Sequence, residues 1–153
     1  MSSTAKYLAV LLCLFFAGKA GAACSVSATG VNFGAYDVFV TAPLDSTGTV
    51  TVTCDPAPPV DVTIAIGPSG ISSGFIPRQM RSASSSDRLS YNLFVNAGRS
   101  TVWGDGAAGT STVLLKNVKK NRPEVVTIFG RIPPGQDVSV GSYSDSLTVT
   151  ITP

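Results

Sequence analysis

The most constraining feature of the sequence is a strict alternation of apolar residues with threonine. It is clearest in the segments 49–54 (TVTVTC) and 147–152 (LTVTIT). The segment 60–66 (VDVTIAI) has the same period, with valine or isoleucine at every second position. A period of two is typical of a β-strand that has one buried and one exposed face. The last segment also ends the sequence. A strand at the end of a chain usually lies either inside a sheet or at a sheet edge, and the pattern alone does not decide between the two.

Other segments after residue 22 follow the same period, and helical periodicity is absent. Strands are predicted at 24–29, with 31–33 as a short continuation, and at 88–96, 125–132 and 142–152. Gly, Pro and Ser clusters between them predict turns, which together indicate an all-β sandwich or barrel. Residues 35–47 are predicted to be a loop that ends in a turn at 46–48. Pro77 confines 75–80 to a short edge strand, and Ser82–Ser86 is predicted to be a mobile polar loop.

The first 22 residues have the pattern of a secretory signal peptide. Lys6 precedes an apolar run, Tyr7–Ala17, and small residues follow at 20–22. The apolar run is too short to span a bilayer, so we expect cleavage after Ala22 and a single exported domain over 23–153. A lipoprotein cut before Cys24 is the alternative, although Gly21 stands where a bulky aliphatic residue is usual.

The cysteines agree with export. Cys13 would leave with the signal peptide, and the two that remain, Cys24 and Cys54, each lie on the apolar face of a predicted strand. Two cysteines in an oxidising compartment favour one disulfide, with two free thiols as the alternative. In the chain-entropy model, closing a loop of this length contributes about 3.5 kcal/mol.

Composition argues against catalysis and against nucleic acid. The sequence has no histidine, which removes the Ser–His and Cys–His nucleophile pairs and the usual zinc ligands. Its acidic residues are scattered without calcium-loop or paired-carboxylate spacing, and WGDGAAG (103–109) has neither P-loop nor dinucleotide spacing. Without the leader, nine basic residues balance nine acidic ones. We therefore expect no cofactor, no metal, no enzyme activity and no nucleic-acid partner, while self-association is compatible with the low net charge.

One charge cluster is present, formed by Lys116, Lys119, Lys120 and Arg122. It is interpreted either as a solvated loop or as a contact surface for an acidic partner or polysaccharide. The segments 82–86, 103–109 and 116–122 are the candidate contact loops.

Five segments in order carry a family resemblance: 24–37 (CSVSATGVNFGAYD), 48–54 (GTVTVTC), 91–106 (YNLFVNAGRSTVWGDG), 127–136 (TIFGRIPPGQ) and 141–153 (GSYSDSLTVTITP). Together they resemble the spore coat protein U domain, which occurs in subunits of archaic chaperone–usher pili. The resemblance implies an incomplete immunoglobulin-like β-sandwich that lacks its last strand, and it implies the Cys24–Cys54 disulfide.

The resemblance also implies a function. A groove between the first and last strands would accept a donor strand, first from a periplasmic chaperone and then from the next subunit. By the family pattern its walls would be Val26, Ala28, Leu147, Val149 and Ile151. The partners implied are the chaperone, an outer-membrane usher and neighbouring subunits, with display at the cell surface.

The chain departs from the family pattern at its N-terminus. Pilus subunits carry a donor segment before the first cysteine, whereas at most Ala23 would precede Cys24 here. The expectation is therefore a subunit at a fibre end. The alternative is a stand-alone secreted coat, matrix or binding protein that is completed by self-association, and a small hydrolase is the least favoured alternative.

Overall fold

The structure is a computed structural model that describes residues 23–55 and 59–153. The predicted signal peptide lies outside the described residues. The described part of the chain is all-β and contains nine strands: β1 (Cys24–Thr29), β2 (Leu44–Cys54), β3 (Val60–Ile66), β4 (Arg78–Ser82), β5 (Arg88–Phe94), β6 (Val113–Val118), β7 (Glu124–Ile132), β8 (Tyr143–Ser144) and β9 (Val149–Thr152). The all-β prediction is confirmed.

The strands form two antiparallel sheets that enclose one apolar core. The larger sheet has the order β1-β2-β7-β5-β4-β8, and the smaller has the order β6-β3-β9. The apolar members of each alternating segment point inward, as the period of two requires. They include Val50, Val52, Val62, Ile64 and Ile128, all buried.

The predicted disulfide is present. Cys24 and Cys54 face each other at the first position of the β1–β2 ladder, and their sulfur atoms are bonded. The bond therefore ties the start of β1 to the end of β2, on the core side of the larger sheet.

The predicted turn at 46–48 is wrong, because β2 already begins at Leu44 and runs through it. Gly48 lies inside the strand, opposite Ile128 of β7. A Cβ atom there would lie 2.6 Å from the Thr29 carbonyl oxygen. The glycine is needed because another stretch of chain passes close above the strand, not because the chain turns.

The stretch that passes above is the one predicted to continue the first strand. The ladder between β1 and β2 ends where Thr29 faces Thr49, and residues 30–36 form no strand. Val31 and Phe33 instead cross the inner face of the larger sheet above Gly130. A Cβ atom on Gly130 would lie 2.7 Å from the nearest side-chain carbon of each.

The single strand predicted over 142–152 is two strands in different sheets. β8 pairs with β4 in the larger sheet, whereas β9 pairs with β3 in the smaller one. Asp145 holds the connection between them. Its carboxylate accepts hydrogen bonds from the Tyr91 hydroxyl (2.8 Å) and from the backbone N–H groups of Gly70 (3.2 Å) and Ser146 (2.8 Å).

Two smaller predictions also change. Pro77 precedes β4, so the strand lies between β5 and β8 without needing an N–H group from the proline. Ser82 ends β4 and is buried. Its hydroxyl accepts the backbone N–H groups of Ser84 (3.2 Å) and Ser85 (3.1 Å), so the segment predicted to be a mobile loop begins as a hydrogen-bonded turn.

Candidate functional site: an open seam between two sheet edges

The candidate site is the side of the sandwich where each sheet ends. β1 is an edge strand of the larger sheet and β9 is an edge strand of the smaller sheet, and the two contact each other. Within the described residues, β1 pairs only with β2, and β9 pairs only with β3. The outer backbone groups of both strands therefore have no strand partner, and such edges are the places where another strand can add.

An apolar cavity opens where these two edges diverge, and we call it the narrow cavity. Its volume is about 310 Å³. One wall comes from residues 28–31 and the other from residues 143–149, while buried side chains of Ile66, Leu93 and Ile128 form the floor. The cavity thus reaches the core of the sandwich.

The five residues predicted to line a groove divide into two groups. Ala28, Leu147 and Val149 line the narrow cavity. Val26 and Ile151 pack against the core without being among the lining residues, with Val26 opposite Val52 and Ile151 opposite Ile64 in their ladders. The predicted groove residues therefore reach the cavity only at Ala28, near the end of β1, and at Leu147 and Val149, just before and at the start of β9.

Sequence reasoning missed most of the lining. Val31, Phe33, Met80 and Tyr91 all line the narrow cavity, and the Phe33 and Tyr91 rings meet edge to face at 6.0 Å between centroids. Tyr91 and Val31 belong to apolar patterns that the sequence shows. Nothing in those patterns indicates which core residues lie under an open seam.

Two of the residues that line the narrow cavity make a polar contact with each other. The Tyr91 hydroxyl donates to the Asp145 carboxylate at 2.8 Å. Burial of the phenol, reinforced by this hydrogen bond and by the charge of Asp145, raises the pKa of Tyr91 far above its usual value. Tyr91 therefore stays protonated and donates to Asp145, which holds the segment 145–148, between β8 and β9, at the edge of the cavity.

A second and larger cavity adjoins the first, and we call it the wide cavity. Its volume is about 850 Å³, and it lies between the segments 30–39 and 138–143. Met80, Leu89 and Ile132 form its base. A hydrogen-bonded tyrosine braces the loops around it, since the Tyr36 hydroxyl donates to the Pro133 carbonyl (3.2 Å) and accepts from the Gln136 N–H (2.9 Å).

Behind the floor of the seam lies a buried cation. Arg78 is fully buried at the start of β4, and its guanidinium makes five hydrogen bonds. Four go to backbone carbonyls of Ile66, Gly67 and Trp103, and one goes to the Asn92 side chain. Desolvation lowers the pKa of Arg78 from its usual value. The arginine joins β4 and β5 to the end of β3, the strand with which β9 pairs.

The basic cluster is largely paired with carboxylates on an exposed surface. Its pairs are Lys116–Asp61 (3.4 Å), Lys120–Asp55 (2.9 Å) and Arg122–Glu124 (3.6 Å). Exposed pairs of this kind contribute little to stability, and they neutralise the local positive charge. This favours the interpretation of a solvated surface, although Lys116 lies in β6 and not in a loop.

Residues 23–55 and 59–153 contain neither a cluster of metal-binding side chains nor a membrane-spanning helix. No group of three or more His, Cys, Asp or Glu side chains in these residues is arranged to hold a metal ion. No helix among them is long and apolar enough to cross a membrane.

The fold and the seam define a class of domain: an immunoglobulin-like β-sandwich, incomplete between its first and last strands, of the kind seen in pilus subunits. The model of the Spore Coat Protein U domain family matches residues 13–150. Protein U of Myxococcus xanthus is 35% identical over 144 residues, which covers 86% of this chain and 78% of that protein. The chain belongs to the Spore Coat Protein U domain family.

Solved structures support the fold. The CsuC–CsuE chaperone–tip adhesion subunit pre-assembly complex, from the archaic chaperone–usher Csu pili of Acinetobacter baumannii, aligns with a TM-score of 0.57 at 20% identity over 85% of this chain. A chaperone–tip adhesin complex of CFA/I fimbriae aligns with a TM-score of 0.50 at 11% identity over 84% of this chain. The chain spans 39% and 41% of the lengths of those two matched chains.

Proposed function

We propose that this protein is a non-enzymatic structural subunit of a chaperone–usher surface fibre, exported through the periplasm to the cell surface. The seam accepts a donor strand from a periplasmic chaperone and later from a neighbouring subunit, with an outer-membrane usher directing the exchange. The observation that carries the proposal is the pair of edges, β1 and β9, that flank an apolar cavity reaching the core.

The energetics of the seam favour an added strand. Such a strand would hydrogen-bond to the outer edges of β1 and β9 and would cover Leu147 and Val149, which are only half-buried. Four or five apolar donor side chains, buried at roughly 1.5–3 kcal/mol each, would contribute on the order of 10 kcal/mol before the cost of ordering the peptide. That is comparable with the whole stability of a small domain.

The test compares two substitutions on neighbouring residues of β9. Val149→Asp puts a charge on the face that lines the cavity, and Thr150→Asp puts the same charge on the exposed face. With the chaperone co-expressed in the periplasm, we expect co-purification of Thr150→Asp but not of Val149→Asp. Equal co-purification of both variants would contradict the groove, as would a stable wild-type monomer obtained without chaperone or donor peptide.

A second candidate is a stand-alone coat or matrix protein whose two edges pair with those of another copy. The match to the Spore Coat Protein U domain favours it, because the description of that family names a coat protein. Sedimentation velocity separates the candidates. A discrete dimer formed without chaperone supports self-association, whereas a chain that is soluble only with a chaperone or donor peptide supports the fibre subunit.

Export itself is tested by the intact mass of the protein recovered from the periplasm. Removal of residues 1–22 would place Ala23 at the N-terminus. The same measurement tests the expected position at a fibre end, since a longer N-terminal segment could serve as a donor strand.

A further inference from the structure

We infer that the binding groove includes the wide cavity, and that the donor segment carries an aromatic side chain at the end that lies there. The inference rests on the proposed function, because it describes the chemistry of the strand that the seam accepts. It concerns a part of the surface beyond the residues that the sequence predicted as groove walls.

The two cavities adjoin each other and share five lining residues. Gly30, Val31, Phe33, Met80 and Tyr143 line both of them. A peptide that enters between Ala28 and Val149 and continues past Tyr143 therefore runs directly into the wide cavity. The β1 and β9 ladders have ended at that point, so side-chain contacts rather than backbone hydrogen bonds would dominate there.

The two parts differ in size, which sets the side chains that fit. The narrow cavity of about 310 Å³ must be shared among the side chains of a passing strand, which suits residues the size of valine. The wide cavity of about 850 Å³ has an apolar base. An apolar cavity of roughly 150 Å³ is enough to hold a benzene ring, so the wide cavity has room for the largest side chains.

The rim of the wide cavity is apolar as well. Phe39 is 90% exposed and Val140 is fully exposed, and both line the cavity. An aromatic side chain between them would cover apolar surface that water now contacts. Among the lining residues of the wide cavity the only charged group is Asp37, whose carboxylate accepts the Phe39 N–H at 2.9 Å. The negative charge of Asp37 disfavours an acidic donor side chain in the wide cavity, whereas it does not repel an aromatic one.

The probe is a fluorescein-labelled peptide of about nine residues, the upper range of common strand lengths, in which threonine and valine alternate. Further peptides carry phenylalanine in place of one valine at a time. The full exported chain is refolded from urea with each peptide, and affinity is measured by fluorescence anisotropy. We expect phenylalanine at one terminal position to strengthen binding about tenfold over the all-valine peptide, and to weaken it at central positions.

Two variants locate the effect. Ala35→Trp fills the wide cavity, and Ala97→Trp places the same side chain on an exposed turn elsewhere. Ala35→Trp should abolish the tenfold gain, while Ala97→Trp should preserve the gain and leave binding of the all-valine peptide unchanged. Thermal unfolding checks that each variant folds, and Val138→Phe, from the opposite wall, replaces Ala35→Trp if it does not.

The outcomes separate the two proposals. If the all-valine peptide binds but phenylalanine improves binding at no position, or Ala35→Trp leaves the gain intact, the aromatic anchor is wrong and the strand-accepting seam stands. If no peptide of the series binds the wild-type chain, the proposal that the seam accepts a strand is refuted, and the proposal of an aromatic anchor is refuted as well.

Discussion

Substituting Arg78 by methionine should cause one of the largest losses of stability that a single change can produce in this domain. The side chain is fully buried, and its guanidinium donates to three backbone carbonyl groups, those of Ile66, Gly67 and Trp103, at 2.8–3.2 Å. Methionine has similar length and no donors. The three carbonyls would therefore lose the guanidinium without gaining water, whereas the Asn92 side-chain oxygen would still accept the Leu93 N–H.

The magnitude follows from those lost partners. A buried polar group left unsatisfied costs about 1–3 kcal/mol, so three carbonyls give a gross cost of about 3–9 kcal/mol. Removing a desolvated cation offsets part of this, as replacements of buried charges by apolar residues show. We expect a net loss of about 3–5 kcal/mol in the free energy of unfolding. For a domain of this size that corresponds to a fall in Tm of roughly 10–20 °C.

The assay is urea unfolding of residues 23–153, followed by the fluorescence of Trp103. It is the only tryptophan in the sequence, it is 0% exposed, and its carbonyl is one of the Arg78 acceptors. Arg81→Met is the matched control, because Arg81 lies on the exposed side of the same strand. It should change stability by less than about 0.5 kcal/mol.

Arg78→Lys gives an intermediate test. An ammonium group keeps the charge but cannot reach several fixed acceptors at once as a planar guanidinium does. It should therefore recover only part of the loss. A loss below about 1 kcal/mol for Arg78→Met, or one equal to that of Arg81→Met, would show that the buried network does not hold the sheets together.

Three further changes have calculable effects. Replacing Cys24 and Cys54 by serine opens a loop with a sequence separation of 30 and should lower the free energy of unfolding by about 3–4 kcal/mol in urea titrations. Gly130→Ala places a Cβ atom 2.7 Å from two side chains and should cost about 1–3 kcal/mol, read as a lower thermal midpoint. The hydrogen bond from Arg131 lowers the pKa of Asp45. The resulting stability should be complete above about pH 4, the unfolded pKa, and be lost as pH falls through the lower folded value, and urea midpoints for Asp45→Asn should lack this component.

The parts of the fold that the sequence predicted are those in which local pattern and tertiary structure agree. The alternation in 49–54, 60–66 and 88–96 specifies both the strand and its buried face, and the structure confirms these strands, the last of them over 88–94. The disulfide prediction followed from two cysteines on the apolar faces of predicted strands in a chain that was expected to be exported, and the bond is present. For the strands, the deciding information lies within a few residues of sequence.

The parts that the sequence did not predict depend on distant partners. Gly48 has the local surroundings of a turn, and only the crossing of residues 30–33 above β2 explains it as an interior strand residue. Leu147 and Val149 show one unbroken alternation, yet the hydrogen bonds to Asp145 divide the segment between two sheets. Arg78 is the first residue of a mostly polar strand, and nothing in the sequence indicates that it is buried.

These unpredicted residues are also the ones that shape the seam. Asp145 lies where the chain passes from β8 in the larger sheet to β9 in the smaller one, so it positions the cavity wall formed by residues 143–149. Gly130 has no side chain, which lets residues 30–33 cross the inner face of the larger sheet and form part of the opposite wall. Arg78 holds the end of β3, which carries β9. The cavity therefore results from two strand crossings fixed by polar contacts and close packing, rather than from a deficit of apolar residues. A donor strand would meet walls that are already held in place, so its binding would not require the core to rearrange.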